Sequence, residues 1–393
     1  GIYESVGSIT STNGNITLSG YTSSSNTGYY GIYSNGINAS ATNGSVIFQG
    51  AKLNASSLSN AIANGTAAVP APIYAAVDPL NPAFAATNGI YWTGSVTANT
   101  SSGNIQINAK GANITGAMTA YGLSLLGNNQ SYTLNNASNN FLSSLSANIG
   151  TGSLTFVNTN PINIGSFNGT TGVTAASVSL TSPGLTGAAN ITTTSASTVA
   201  ITNATGSYEY SGIMSGPIGI TKTGAGTEIF SGNNTYSGTT TISAGTLQIG
   251  KGGTSGTLGS TSNNVTDNGT LVFNRSDVYT ITGAISGSGA LTVATGGLIL
   301  NGGATYSGIT NLSSTSTPSS ITYNYNTQPS TSGFSGTGAV TISPAASSSF
   351  TSAFTSNYTF SNTLTGLTLG SSSNTQSMTL GSAINIAGPI SVY

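Results

Sequence analysis

Few residues in this chain of 393 could do acid–base chemistry. There is no His and no Cys; the acids are Glu4, Asp78, Glu209, Glu228, Asp267 and Asp277, and the cations are Lys52, Lys110, Lys222, Lys251 and Arg275. Without imidazole there is no imidazole base, no triad and no imidazole–metal site. Without thiols there is no disulfide and no thiolate metal site. Hydrolysis of a glycosidic bond uses two carboxyls about 5 to 9.5 Å apart. Glu209 and Glu228 are 19 residues apart, about one coil of a solenoid, so they could stack on neighbouring rungs; Asp267 and Asp277 flank Arg275. The plainer reading makes all of these isolated surface acids, or simple pairs with Lys222 and Arg275. The run Gly250-Lys251-Gly252-Gly253-Thr254 lacks the Gly-Lys-Ser/Thr order of a phosphate loop, and it reads as a turn between coils. No Asp-rich repeat supplies the oxygen ligands that calcium needs. The expectation is no catalytic residue, no metal and no cofactor.

The elements that carry these residues are built from neutral side chains. Charged residues make up 3% of the chain, against about 25% in ordinary globular proteins. The exterior must then be Ser, Thr, Asn and Gly, with little electrostatic repulsion between copies, which favours self-association. Five scattered cations make no patch for nucleic acid. No run of about 18 apolar residues provides a membrane span.

Val, Ile, Thr, Tyr and Phe recur throughout, as in a pleated, half-buried surface. One theme repeats in the first half: an Asn-Gly or Ser-Gly turn, then an alternating strand. It occurs at Thr12 to Gly20, Thr42 to Gly50, Ser102 to Asn108 and Thr151 to Val157. Apolar side chains two apart share one face of a strand. Hairpins and parallel coils both fit this local pattern. Short strands between polar turns over hundreds of residues favour the solenoid. The expected fold class is all-β: an elongated parallel β-helix, or β-solenoid. Inward candidates are Ile16, Leu18, Val46, Phe48, Ile105, Ile107, Leu154, Phe156, Ile220, Ile242, Leu247, Leu271, Phe273, Leu291, Val293, Leu298 and Leu300.

Residues 67–92 break the pattern. Pro70, Pro72, Pro79 and Pro82 fall close together there, and proline cannot donate to a central ladder. The segment is expected to leave the coil as an extended insertion. Its apolar residues Ile73, Tyr74, Val77, Leu80, Phe84, Tyr91 and Trp92 are the candidate contacts. They pack back on the solenoid, dock on a neighbouring copy, or stack on carbohydrate.

Residues 207–249 resemble the passenger-associated transport repeat of bacterial autotransporters. The resemblance rests on Ile220-Thr221-Lys222-Thr223-Gly224-Ala225-Gly226-Thr227, Ser231-Gly232-Asn233-Asn234-Thr235-Tyr236-Ser237-Gly238 and Ala244-Gly245-Thr246-Leu247. A degenerate copy follows at Ile285 to Thr292 and Leu298 to Gly308, with a second Tyr-Ser-Gly 70 residues after the first. The first 160 residues resemble filamentous-haemagglutinin-type adhesins more loosely. The resemblance implies a right-handed coil, export through an outer-membrane pore, and adhesion or biofilm formation at the bacterial surface. Glu228 stands where the repeat usually has Leu. Pointing inward, it needs a partner or a proton; with a shifted strand, Ile229 takes its place.

The expected organisation is a haemagglutinin-like solenoid over 1–205, passenger-associated repeats over 206–313, and a terminal β segment over 314–393 that continues the solenoid or caps it. The chain starts without Met and ends in a strand-like run, and reads as a piece of a longer precursor. The expected role is extracellular and non-enzymatic: a structural or adhesive element that assembles into surface fibres or matrix, by end-to-end contact or through the arm. The alternatives are a monomeric adhesin passenger binding glycans or neighbouring cells and, remotely, a polysaccharide-degrading β-helix.

Overall fold

Alternation sets the local structure. Asn104–Ala109 and Ser177–Ser182 each alternate half-exposed and buried residues without a break. Each strand then finds its hydrogen-bonding partner one coil later, in parallel and residue for residue. A computed structural model describes residues 2–4, 8–20, 30–34, 38–43, 45–50, 88–109, 111–127, 129–167, 169–314, 318–381 and 383–393. Among the described residues there is no α-helix. The chain divides into two compact units, 1–199 and 200–393. Each is a stack of parallel rungs, the β-solenoid expected from the sequence.

In the first unit the rungs have three sides. One side runs Ile2–Glu4, Tyr30–Ser34, Asn88–Trp92, Ala112–Ile114, Tyr132–Leu134, Ser153–Val157 and Ser177–Ser182. A second runs Ser8–Ser11, Asn38–Ala41, Val96–Thr97, Met118–Ala120 and Asn140–Phe141. The third includes Ile16–Gly20, Val46–Gly50, Asn104–Ala109, Gly122–Leu126 and Ser144–Asn148. Register turns matching positions into columns. Ile16, Val46, Ile105, Leu123, Leu145 and Ile164 stack in order, and every one is buried. Each such side chain stabilises by about 1.5 to 3 kcal/mol when fully buried.

Three copies of the turn-and-strand theme occupy successive rungs of the third side. The fourth, ending in Ser153–Val157, lies on the first side, beside Tyr132–Leu134. The uneven spacing between copies has a simple origin. Val46 and Ile105 are paired neighbours although 59 residues separate them, so a long excursion between rungs leaves the register intact.

The proline-rich segment needs one correction. It was expected to leave the coil over 67–92, but Asn88–Trp92 is a central strand, paired with Tyr30–Ser34 on one side and Ala112–Ile114 on the other. The prolines precede it, so nothing prevents its amides from joining the ladder. Residues 67–87 lie outside the described residues.

In the second unit one side runs Ile218–Lys222, Thr240–Ile242, Val265–Asp267, Ile285–Gly287 and Ala304–Tyr306. Another stacks Phe230, Ile249, Phe273, Val293 and Leu312 in one buried column. Residues 314–393 continue the stack and do not fold back separately: Leu298, Ile321, Val340, Leu367 and Ile390 form one column. Aromatic packing thickens this part, with Phe334 ringed by Tyr323, Tyr358 and Phe360 at 5.4–5.9 Å.

Buried asparagines tie rungs together at the corners. The Asn139 Oδ1 accepts the Met118 amide at 2.9 Å and the Asn158 Oδ1 accepts the Phe141 amide at 2.9 Å, both from the preceding coil. Asn234 repeats the device in the second unit, accepting from Met214. Each amide side chain satisfies a backbone group that the bend takes out of the ladder.

Candidate functional site

Trp92, a candidate contact, lies in a central strand with 1% of its surface exposed. It stacks in register with Ile114 of the following rung, so its indole belongs to the core and presents no face to a sugar. Tyr91 occupies the preceding position of the same strand. Ile73, Tyr74, Val77, Leu80 and Phe84 lie outside the described residues.

The acids separate along the alternation of their strands. Ser207–Tyr210 pairs with Thr227–Phe230 so that Glu209 matches Ile229, not Glu228. Glu209 is outward and Glu228 is fully buried. The two carboxyls thus sit on opposite faces of one sheet and do not stack, a consequence of the period-two alternation. Glu209 binds Lys251 Nζ at 2.5 Å and accepts from Ser231 Oγ at 2.7 Å. Those two hydrogen bonds, the lysine's first, hold its carboxyl below the usual range.

Glu228 takes the inward place, and Ile229 does not. Its neighbour in charge is Lys222, also fully buried. The Lys222 ammonium donates to the carbonyls of Thr223 and Gly224 at 2.8 Å and of Ala244, one rung on, at 3.4 Å. Burial lowers the Lys222 pKa and the Glu228 charge raises it. The repeat's lysine is therefore an interior clasp that fastens two successive turns. Sequence reasoning placed it at the surface; a lysine followed by Thr-Gly-Ala-Gly, with an acid at the next inward position, was the available signal. Gly245 closes the same corner with φ +68, and a Cβ there would stand 2.3 Å from the Gly224 carbonyl oxygen.

Asp267 is also fully buried, one column from the core of the same unit. Its Oδ1 accepts the Gly269 amide at 3.0 Å, and its Oδ2 has no hydrogen-bond partner among the described residues. Burial pushes its carboxyl up to about 6, against the lowering effect of the Gly269 and Leu271 amides. Gly289, one rung on, lies flush against it.

Arg275 is spent on a side loop. It pairs with Asp277 at 2.8 Å and 2.9 Å, donates to the carbonyls of Gly256 and Thr254, and lies over the Tyr279 ring at 4.9 Å. The Gly-rich run at 250–254 begins the connection between Thr246–Ile249 and Val265–Asp267, as a turn between coils should. Asp267 and Asp277 do not share Arg275. No group of three or more His, Cys, Asp or Glu among the described residues could hold a metal ion. No helix among them is long and apolar enough to cross a membrane.

The two Tyr-Ser-Gly units have the same internal geometry. Tyr236 is buried and bonds Thr240 Oγ1 at 2.8 Å; Tyr306 is buried and bonds Thr310 Oγ1 at 2.7 Å. In each, the glycine passes beneath the preceding rung, where a Cβ would come within 2.0–2.4 Å of a carbonyl oxygen. The sequence-degenerate second copy is thus a structural copy.

Fold and internal repeat define a parallel β-solenoid that carries a passenger-associated transport repeat: residues 220–249 match the family model described as Passenger-associated-transport-repeat. A curated relative is the "Adhesin BmaC autotransporter" of Brucella suis biovar 1 (strain 1330), 49% identical over 70 residues. That match spans 18% of this chain and 2% of the relative's length. No solved structure matches.

Proposed function

We propose that this chain is an adhesive, non-catalytic segment of an autotransporter passenger displayed outside a bacterial cell. The observation that carries this reading is the passenger-associated transport repeat at 220–249 within a solenoid whose exterior is almost without charge. Such a passenger adheres through area, since many weak neutral contacts along a stack of rungs meet little repulsion. Rungs pair only with neighbours, so the chain can order one coil at a time as it emerges. The separation of Glu209 from Glu228 by a sheet supports contact over catalysis. Beads coated with the purified chain test the reading. They should be retained on bacterial or host-cell layers several-fold better than albumin-coated beads; equal retention overturns it.

A finer reading assembles copies end to end into fibres or matrix. Strand Ile390–Val392 pairs on one side with Gly366–Leu369 and exposes Ile390, Val392 and Tyr393. An unpaired edge of this kind is a template for strand addition. Negative-stain microscopy of the purified chain should show regular filaments, and dispersed particles at high concentration would contradict it.

A further inference from the structure

The first side of the first unit carries a register column of unusual composition. Tyr3 pairs with Tyr33, Tyr33 with Tyr91, and Tyr91 with Asn113. The column continues through Thr133, Thr155 and Ser179. Three tyrosines thus occupy one position on three successive rungs, followed by an amide and three hydroxyls. In sequence they are scattered over 88 residues, and no local motif announces them. Position 91 falls between Ile90 and Trp92, both buried, so it belongs to the opposite face of its strand. The hydroxyl part is partly exposed, and a second hydroxyl column runs beside it. There Ser153 Oγ donates to Ser131 Oγ at 2.7 Å, and Ser153 pairs with Ser177. A shallow depression of about 310 Å³ lies over this part, lined by Ser153, Thr155, Ser177, Ser179 and Thr198 among others. No position of the column from Tyr3 to Ser179 is charged.

We propose that this column is a binding stripe for a neutral glycan chain lying along the stack of rungs. Its sugar rings pack on Tyr3, Tyr33 and Tyr91, and its hydroxyls bond Asn113, Thr133, Thr155 and Ser179. The chemistry is complementary at both ends: tyrosine offers a large amphipathic face with little conformational entropy to lose, and neutral hydroxyls can donate and accept in turn. Rungs are about 4.8 Å apart, so the stripe repeats at the scale of a sugar ring. An anionic polymer finds no cation in the column. This inference deepens the adhesive reading by naming one ligand class and its site, and it rests on that reading.

The test is affinity electrophoresis of the whole chain in gels containing laminarin, hydroxyethyl cellulose or mannan, with dextran sulfate as the charged comparison. At least one neutral polysaccharide should retard the chain, and dextran sulfate should not. The double variant Tyr33→Ala/Tyr91→Ala should bind about tenfold or more weakly, whereas Tyr33→Phe/Tyr91→Phe should bind within about threefold of the parent. Nitration of Tyr33 and Tyr91 in the parent, read by peptide mass, should be slowed by the bound polysaccharide, which tests the site even if the alanine variant fails to fold. No retardation by any neutral polysaccharide, equal retardation of parent and alanine variant, or nitration unaffected by ligand overturns the proposal. Beads that adhere regardless of the tyrosines leave the adhesive reading standing and sink this site. Tyrosine-dependent binding by a chain whose beads do not adhere does the reverse.

Discussion

Asp267 gives the interior a pH dependence of unusual sign. Its carboxyl titrates near 3.8 when free and at about 6 in the folded chain, because burial disfavours its charge. Between those values the unfolded chain has released the proton and the folded chain still holds it. Stability therefore falls as pH rises through that window, and the contribution is complete below 3.8 and gone above about 6. The displacement corresponds to about 3 kcal/mol. Asp267→Asn removes the proton while keeping the shape against Gly289. The stability of Asp267→Asn relative to the parent should rise by about 3 kcal/mol between about pH 3.5 and about pH 7.5. Glu209 and Asp277 have lowered values and lose stability as pH falls, but both proteins share them, so they cancel in the difference. Urea titrations followed by circular dichroism at each pH supply the measurement. A difference that stays constant within about 0.5 kcal/mol across the range would refute the reasoning, since a carboxyl that ionises equally in both states is not buried as described.

The other expectations follow from the same interior. Lys222→Met leaves Glu228 buried without its countercharge and should cost about 3 to 5 kcal/mol; Lys222→Met/Glu228→Leu should cost less than either single change, as a double-mutant cycle in urea reads directly. Gly245→Ala meets both the positive φ and the Gly224 carbonyl, and should destabilise by more than about 1 kcal/mol in thermal melts. Arg275→Ala releases the carbonyls of Thr254 and Gly256; charge-assisted bonds contribute about 1.5 to 3 kcal/mol each, so trypsin should cut after Lys251 about tenfold faster or more, read by peptide mass.

Much of the core was legible because period-two alternation is a local signal. Ile16, Ile105, Phe156, Ile220, Leu271 and Leu300 are all buried, as their spacing requires. What the sequence hides is which rung each strand joins. Side excursions of any length leave the register unchanged, so spacing along the chain says little about adjacency in the stack. That is why Thr151 to Val157 resembled its fellows yet lies on another side, and why Trp92 read as part of an arm. It is also why the column Tyr3, Tyr33 and Tyr91 has no sequence signature. The charges misled for a different reason. Acids and lysines are usually exposed, but a narrow interior with carbonyl-lined corners gives a lysine three acceptors, and Lys222 uses them. The lysine of the repeat is thus fastened to the fold and not offered to a partner.

The parallel, residue-for-residue stacking of rungs carries every other conclusion, and cysteine cross-linking tests it directly because the chain has no native Cys. Thr133 matches Thr155, and Thr155 matches Ser179. The pairs Thr133→Cys/Thr155→Cys and Thr155→Cys/Ser179→Cys should each form a disulfide on mild oxidation, since adjacent rungs are about 4.8 Å apart. Thr133→Cys/Ser179→Cys, two rungs apart at about 9.6 Å, should stay reduced. Cross-linking of that last pair as fast as the others, or failure of both adjacent pairs, would contradict the solenoid.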